Sequence, residues 1–278
     1  MASLDEFARE QAILAILKTS GHAVVNDLAT TFGVSTVTIR KDLDGLEQRN
    51  LLRRVRGGAV SVDGGDEGSF EMRMRQSSET KRAIARSAAA IVRHGDVLAI
   101  DASTTGYYLA QQILDRRNLV VVTNALRVAT LFMEQSSAKV LVPGGLLRRS
   151  SGSLVGPIGD VLAGRGRITT GFFGVVGVST MHGLMEMSAE EAQTKRFLAD
   201  ACDRVIGMFE SGKISGFGLH SFAAVPAITA MYTDAAAAPD WLAEWEKLGV
   251  PVHLVSTDAE DGTDRDIPNR RRGTVARR

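Results

Sequence analysis

From residue 79 to residue 255 the chain alternates helix-period segments with short apolar runs, and this alternation most narrows the folds open to it. A face of Ile84, Ala88 and Ile91 precedes a strand-like run at 97–101. A helix through 109–114, a strand at 119–123, a helix through 126–133 and a strand at 139–142 follow. Further strands fit 172–178, 204–209, 227–232 and 250–255, with helices at 189–201 and 240–248. Strands separated by helices in this way predict a Rossmann-like α/β domain, a parallel sheet with helices on its faces. With 278 residues, 44% of them hydrophobic, the chain can bury such a core and still carry a second, smaller domain.

The first sixty residues follow a different pattern. Ile13, Ile16 and Leu17 mark a helix over 4–19, and Leu28, Ala29 and Phe32 turn inward from a second one over 26–32. Gly33 and Val34 make a tight turn, and Ser35 can cap a third helix whose inward positions are Ile39, Leu43 and Leu46. That helix is expected to end near Asn50, and residues 51–60, interrupted by Gly57 and Gly58, read as a hairpin wing. Two short helices, a glycine turn, a capped third helix and a ribbon make a winged helix-turn-helix. Residues 61–69, rich in Gly and Asp, open a linker expected over 61–78. The predicted units are therefore 1–60, a linker, 79–256, and an Arg-rich, disordered tail at 257–278.

Burying Ile39, Leu43 and Leu46 leaves Thr36, Val37, Arg40, Lys41 and Asp44 facing solvent near the start of the third helix. Arg at that position can bridge the guanine acceptors of the major groove, and Thr or Val methyls can meet the thymine methyl. The Ser35 and Thr38 hydroxyls and the first backbone N–H groups suit phosphates. Arg53, Arg54 and Arg56 on the wing add affinity without sequence preference. Charge agrees: residues 33–58 hold six basic against three acidic side chains, within a chain whose formal net charge is only +1. A solvated charged face is the competing reading of such a run, and the spacing of the elements around it favours DNA.

In the second unit, four polar clusters follow apolar strands: 101–106 (Asp-Ala-Ser-Thr-Thr-Gly), Thr123 with Asn124, 143–145 (Pro-Gly-Gly) and 211–213 (Ser-Gly-Lys). Loops after strand C-termini are where open α/β sheets bind ligands. A helix start with free N–H groups suits an anion such as phosphate, Asp101 suits a sugar hydroxyl, and Lys213 supplies positive charge.

The run 34–43 (VSTVTIRKDL), then Leu46 and Glu47, then 51–59 (LLRRVRGGA), with Arg9 and Ile13 upstream, resembles the signature of DeoR-type bacterial transcriptional repressors. The polar clusters resemble the sensor domain of the same family, similar in fold to ribose-5-phosphate isomerases and coenzyme A transferases. The resemblance implies a repressor that binds double-stranded operator DNA and senses a phosphorylated sugar or related metabolite. It places Asp101, Ser103, Thr104, Thr105, Thr123, Asn124, Gly144, Gly145, Glu191, Lys195 and Lys213 around the effector. Three positions depart from the family pattern: Asn50 and Ser103 stand for Gly, and Glu210 for Asp. Asn tolerates positive φ, whereas Ser103 adds bulk where backbone approach is expected.

Two other readings compete. Asp101, Glu191 and Lys213 could serve a sugar-phosphate isomerase as acid, base and electrophile, but a pocket lysine and carboxylates suffice for binding. A DNA binder whose body has lost its effector site is the third reading. One cysteine, Cys202, excludes an intrachain disulfide framework, and the five dispersed histidines argue against a metal site. No cofactor is expected. His220 follows Lys213 closely enough to reach the same pocket, while Trp241 and Trp245 read as packing. The acidic, polar start lacks a secretory pattern, and the uncharged run 214–233, broken by Gly, His and Pro, reads as interior strand and loop. A cytoplasmic regulator with no membrane partner is expected, and operator palindromes call for a homo-oligomer, a dimer or a tetramer.

Overall fold

The computed structural model describes residues 6–49, 51–61, 70–156, 167–214, 216 and 218–256. The N-terminal unit comprises α1 (Glu6–Ser20), β1 (His22–Val24), α2 (Val25–Phe32), α3 (Thr36–Gln48), β2 (Leu52–Val55) and β3 (Gly58–Ser61). Its core is Ile13 and Leu17 of α1, Leu28 of α2 and Ile39, Leu43 and Leu46 of α3. Gly33 ends α2 with φ of 65°, a left-handed turn that L side chains rarely adopt. Ser35 then caps α3, its Oγ accepting from the Thr38 amide at 3.1 Å. Arg9 of α1 is locked to Asp42 of α3, Nε to Oδ2 at 2.5 Å, with both side chains buried. The wing is three-stranded, in the order β1-β3-β2, because β1 adds to the hairpin the sequence indicates.

Helices occupy part of the stretch read as linker: α4 (Phe70–Arg75), and the start of α5 (Ser78–Ala89). Phe70 is buried and stacks edge-on with Tyr107, which anchors α4 to the body. Asn50, residues 62–69 and the tail 257–278 lie outside the described residues.

The body continues with β4 (Val97–Ile100), α6 (Thr104–Gln112), β5 (Val120–Thr123), α7 (Leu126–Gln135), β6 (Lys139–Leu141), β7 (Leu146–Arg148) and β8 (Ser153–Val155). Then come β9 (Thr170–Phe173), β10 (Gly177–Ser179), β11 (Gly183–Glu186), α8 (Ala189–Asp200), β12 (Val205–Met208) and β13 (His220–Ala223). β14 (Ile228–Asp234), α9 (Pro239–Lys247) and β15 (Val252–Val255) complete it. Seven strands form one parallel sheet in the order β15-β14-β12-β9-β4-β5-β6. Alternate residues feed the two faces. Leu98, Ile100 and Phe172 pack with α5, α6 and α7, whereas Ala99, Phe173 and Met231 pack with α8 and α9. Trp245 of α9 is fully buried, and Trp241 meets both it and the Phe209 ring.

Two differences from the sequence reading bear on function. The run expected as one strand at 172–178 is two: β9 ends at Phe173, and β10 begins a separate antiparallel sheet, β10-β11-β13. A second hairpin, β7-β8, follows β6. The uncharged run 214–233 contributes β13 and most of β14, and no helix of the described residues is long and apolar enough to cross a membrane.

Candidate DNA-reading face and ligand cleft

On α3, burial of Ile39, Leu43 and Leu46 turns Val37, Arg40 and Lys41 outward, with Val37 70% exposed. Thr36 and Thr38 are half-buried, and Ser35 and Thr38 share a hydroxyl contact of 2.9 Å beside the helix start. Arg53 and Arg56 are exposed on the wing. Arg54 is held differently: its Nε meets Asp44 Oδ1 at 3.0 Å, its amide donates to Glu47 at 2.6 Å and its Nη1 donates to the Gly58 carbonyl. It fastens the wing to α3 rather than projecting from it.

In the body, the chain leaves β4 toward β5 on one side and leaves β9 toward β12 on the other. The C-termini of these neighbouring strands therefore bound a topological switch point, where open α/β sheets leave a crevice. Asp101 lies there, fully buried. Its Oδ1 accepts from the Ser103 amide at 3.1 Å and hydroxyl at 2.6 Å, and its Oδ2 accepts from the Gly174 amide at 2.9 Å and Lys195 Nζ at 2.7 Å. Asp101 is therefore not placed to meet a sugar hydroxyl, the role that its residue type and position suggest. Burial and four donors instead make it a positioning residue beneath the cleft floor.

Lys195, on α8, also donates to the Gly174 carbonyl at 2.9 Å and to Glu186 of β11. Burial opposes its charge, but Asp101 and Glu186 outweigh that cost and raise its pKa above the ordinary lysine range. Ser103 caps α6 by accepting from the Gly106 amide at 2.9 Å. A Cβ on Gly174 would fall 2.3 Å from Ser103 Cβ, so the bulk that Ser103 adds is accommodated by a glycine across the switch point.

Three adjoining cavities form the cleft. The innermost is bordered by Ser103, Arg148, Ser151, Glu186, Glu191 and Lys195. Glu191 Oε1 accepts from Arg148 at 3.2 Å and from Ser151 and Ser153, while its buried Oε2 has no hydrogen-bond partner. The middle cavity is bordered by Arg73, Lys81, Thr104, Thr105, Glu210 and Lys213, and an outer one by Glu210, Ser211, Lys213 and Asp234. Asp234 shapes the 211–213 turn by accepting from the Ser211 amide and hydroxyl at 2.6 and 2.8 Å.

Of the sequence-predicted residues, Ser103, Thr104, Thr105, Glu191, Lys195 and Lys213 thus come together. The other five, Asp101 beneath the cleft among them, border none of these three cavities. Thr123 donates to the Ile100 carbonyl at 2.6 Å, Asn124 donates to Leu154 at 3.2 Å, and Gly144 and Gly145 lie in the exposed segment between β6 and β7. β5 and β6 lie on the far side of β4 from β9, but the segment after β6 returns to the cleft and brings Arg148 and Ser151 to the innermost cavity. His220 is also absent from the lining of all three. Arg73, Lys81, Arg148 and Glu186 also border the cleft, beyond the residues the sequence pattern indicates. Lys81 had a signal, since it shares the inward face of α5 with Ala85 and Ala88. Cys202, buried and with its thiol pushed up to about 12 by that burial, is a core residue.

A helix-turn-helix head joined to an α/β body with a cleft at its switch point defines a transcription regulator with a ligand-sensing domain. Residues 9–64 match the DeoR-like helix-turn-helix domain and residues 76–235 the DeoR C terminal sensor domain. The chain belongs to the DeoR family. Its relatives include a putative aga operon transcriptional repressor of Escherichia coli O157:H7, 30% identical over 89% of this chain and 93% of that protein. Another is the glycerol-3-phosphate regulon repressor of Escherichia coli K12, 30% identical over 82% and 90%. Ribose 5 phosphate isomerase A from Neisseria gonorrhoeae aligns at 12% identity and TM-score 0.38, over 49% of this chain and 53% of that one.

Proposed function

We propose that the protein is a repressor of a carbohydrate-metabolism operon that binds double-stranded operator DNA through its head and a phosphorylated sugar in its cleft. The observation that carries the reading is the division of α3: Ile39, Leu43 and Leu46 are sealed in the core, and Val37, Arg40 and Lys41 project from its first two turns. That end of a recognition helix meets base edges. Ser35, Thr36, Thr38 and the first amides of α3 then face phosphates, as do Arg53 and Arg56. The names of the two relatives, an aga operon repressor and a glycerol-3-phosphate regulon repressor, support the same assignment. Two heads in a homodimer match a palindromic operator.

In the cleft, the amides of Thr104 and Thr105 and the Lys213 ammonium take the phosphate, and Glu191 borders the adjoining cavity on the sugar side. A ligand changes operator affinity only if it binds the two conformations of the regulator unequally. Catalysis is disfavoured by Asp101, which is sealed from any ligand and fully hydrogen-bonded.

Two substitutions test these roles. Arg40→Ala is expected to weaken operator binding by about 1–3 kcal/mol and to affect an unrelated duplex less. Anisotropy titrations of both duplexes check this, and equal losses would reduce Arg40 to a phosphate contact. Lys213→Ala is expected to abolish the response to phosphorylated sugars while operator affinity stays intact. A full response in that variant would remove Lys213 from the site.

A further inference from the structure

The cleft is not built by the sensor domain alone. Ser20, at the end of α1, and His22, in β1, border the middle cavity beside Lys81, Thr104, Thr105 and Lys213. His22 also borders the outer cavity beside Glu210 and Lys213. The head is held over the cleft by an apolar contact in which Val55 and Val60 of the wing meet Val176, Met187 and Leu219 of the body. Val60 is fully buried, and Val176 and Met187 themselves border the innermost cavity.

Size makes this arrangement consequential. The middle cavity holds about 100 Å³ and the outer one about 320 Å³. Small-molecule sites occupy roughly 300–1,000 Å³. A phosphorylated sugar anchored at Thr104, Thr105 and Lys213 therefore overfills the middle cavity and reaches into those that adjoin it, and His22 borders both the middle and the outer one. His22 Nδ1 lies 3.0 Å from the Ser20 carbonyl oxygen, an acceptor that assigns the proton to Nδ1. Nε2 is then the ring atom that can meet a ligand, accepting from a hydroxyl when the ring is neutral and donating to a phosphate oxygen when it is charged.

We propose that His22 of the DNA-binding domain contacts the effector directly, so that a phosphorylated polyol is gripped by both domains at once. This rests on the reading of the cleft as a phosphosugar site. A ligand held by both domains distinguishes the docked head from the undocked one, which is the differential affinity that coupling requires. Sensing and DNA release then share one contact and need no relay through the body.

The test is calorimetric titration of the full chain, as wild type, His22→Ala and His22→Gln, with fructose 1-phosphate, glucose 6-phosphate, glycerol 3-phosphate and inorganic phosphate. The probe that binds the wild type best is expected to lose about tenfold or more in affinity on His22→Ala. In the wild type the same probe is expected to shift the His22 ring ¹⁵N resonances, identified by their absence from the His22→Gln spectrum. That readout needs no folded Ala variant. Unchanged affinity in both variants, with unmoved His22 resonances, would overturn the proposal and leave the cleft assignment standing. Failure of every probe to bind the wild type would instead overturn the cleft assignment, and this inference with it.

Discussion

Lys195→Ala is expected to destabilise the sensor domain by about 3–5 kcal/mol, the penalty for breaking a buried ion pair from one side. The substitution leaves Asp101 and Glu186 facing each other across the emptied position, with one carboxylate fully buried and the other nearly so. It also removes the donor to the Gly174 carbonyl, so β9 and the α6 cap lose their common strut. Urea denaturation followed by circular dichroism measures the loss, and a change below about 1 kcal/mol would show that the cluster contributes little. Adding Glu186→Gln to Lys195→Met is expected to recover part of the stability, because one uncompensated charge is gone. The pH dependence has a defined sign. A raised lysine pKa gives stability that is fully present below the unfolded value of about 10.4 and is lost as pH rises toward the folded value. The cluster should therefore hold throughout the neutral range.

Asp42→Ala is expected to have a comparable effect in the other domain. Arg9 is raised in pKa by its hydrogen bond to Asp42 and is buried where α1 meets α3, so removing the carboxylate takes away the counter-charge to which a buried guanidinium is hydrogen-bonded. A cost of about 3–5 kcal/mol is a large share of what a domain of this size has. The head should open while the body stays folded. Hydrogen exchange would report this as lost protection across residues 6–61 with unchanged protection in the strands of the parallel sheet, accompanied by loss of operator binding. Undiminished protection in α1 and α3 would contradict the anchoring role of the pair.

These two ion clusters also show where sequence reading reaches and where it stops. The helix-turn-helix was legible because its signals are local: Ile39, Leu43 and Leu46 fall at i, i+4 and i+7, Ser35 sits at the cap, and Gly33 sits at the turn. The parallel sheet was legible because its strands are short apolar runs separated by helical periods. Strand β1 escaped because three residues, His22–Val24, carry no period of their own and are defined by pairing with β3 some thirty-five residues later. The sheet β10-β11-β13 escaped for the same reason, and with it Glu186, whose importance comes from a lysine on α8. The roles of Asp101 and Lys195 could not be separated from ligand contact by sequence, since a residue that binds a ligand and one that positions its neighbours have the same chemistry. Burial bears on Asp101, which is fully enclosed, whereas Lys195 also borders the innermost cavity. The place of His22 beside the cleft was likewise invisible, because it depends on how the head docks on the body.

Operator binding and ligand response are both read by anisotropy titration of the 278-residue chain with a labelled duplex from upstream of its own gene, repeated with each of the three phosphorylated sugars and polyols at saturation. The expected result is operator affinity at least about 10³-fold above that for an unrelated duplex, and a shift of about tenfold or more on adding one of the probes. Equal affinity for both duplexes, unaltered by every phosphorylated probe, would contradict the assignment of a ligand-responsive repressor.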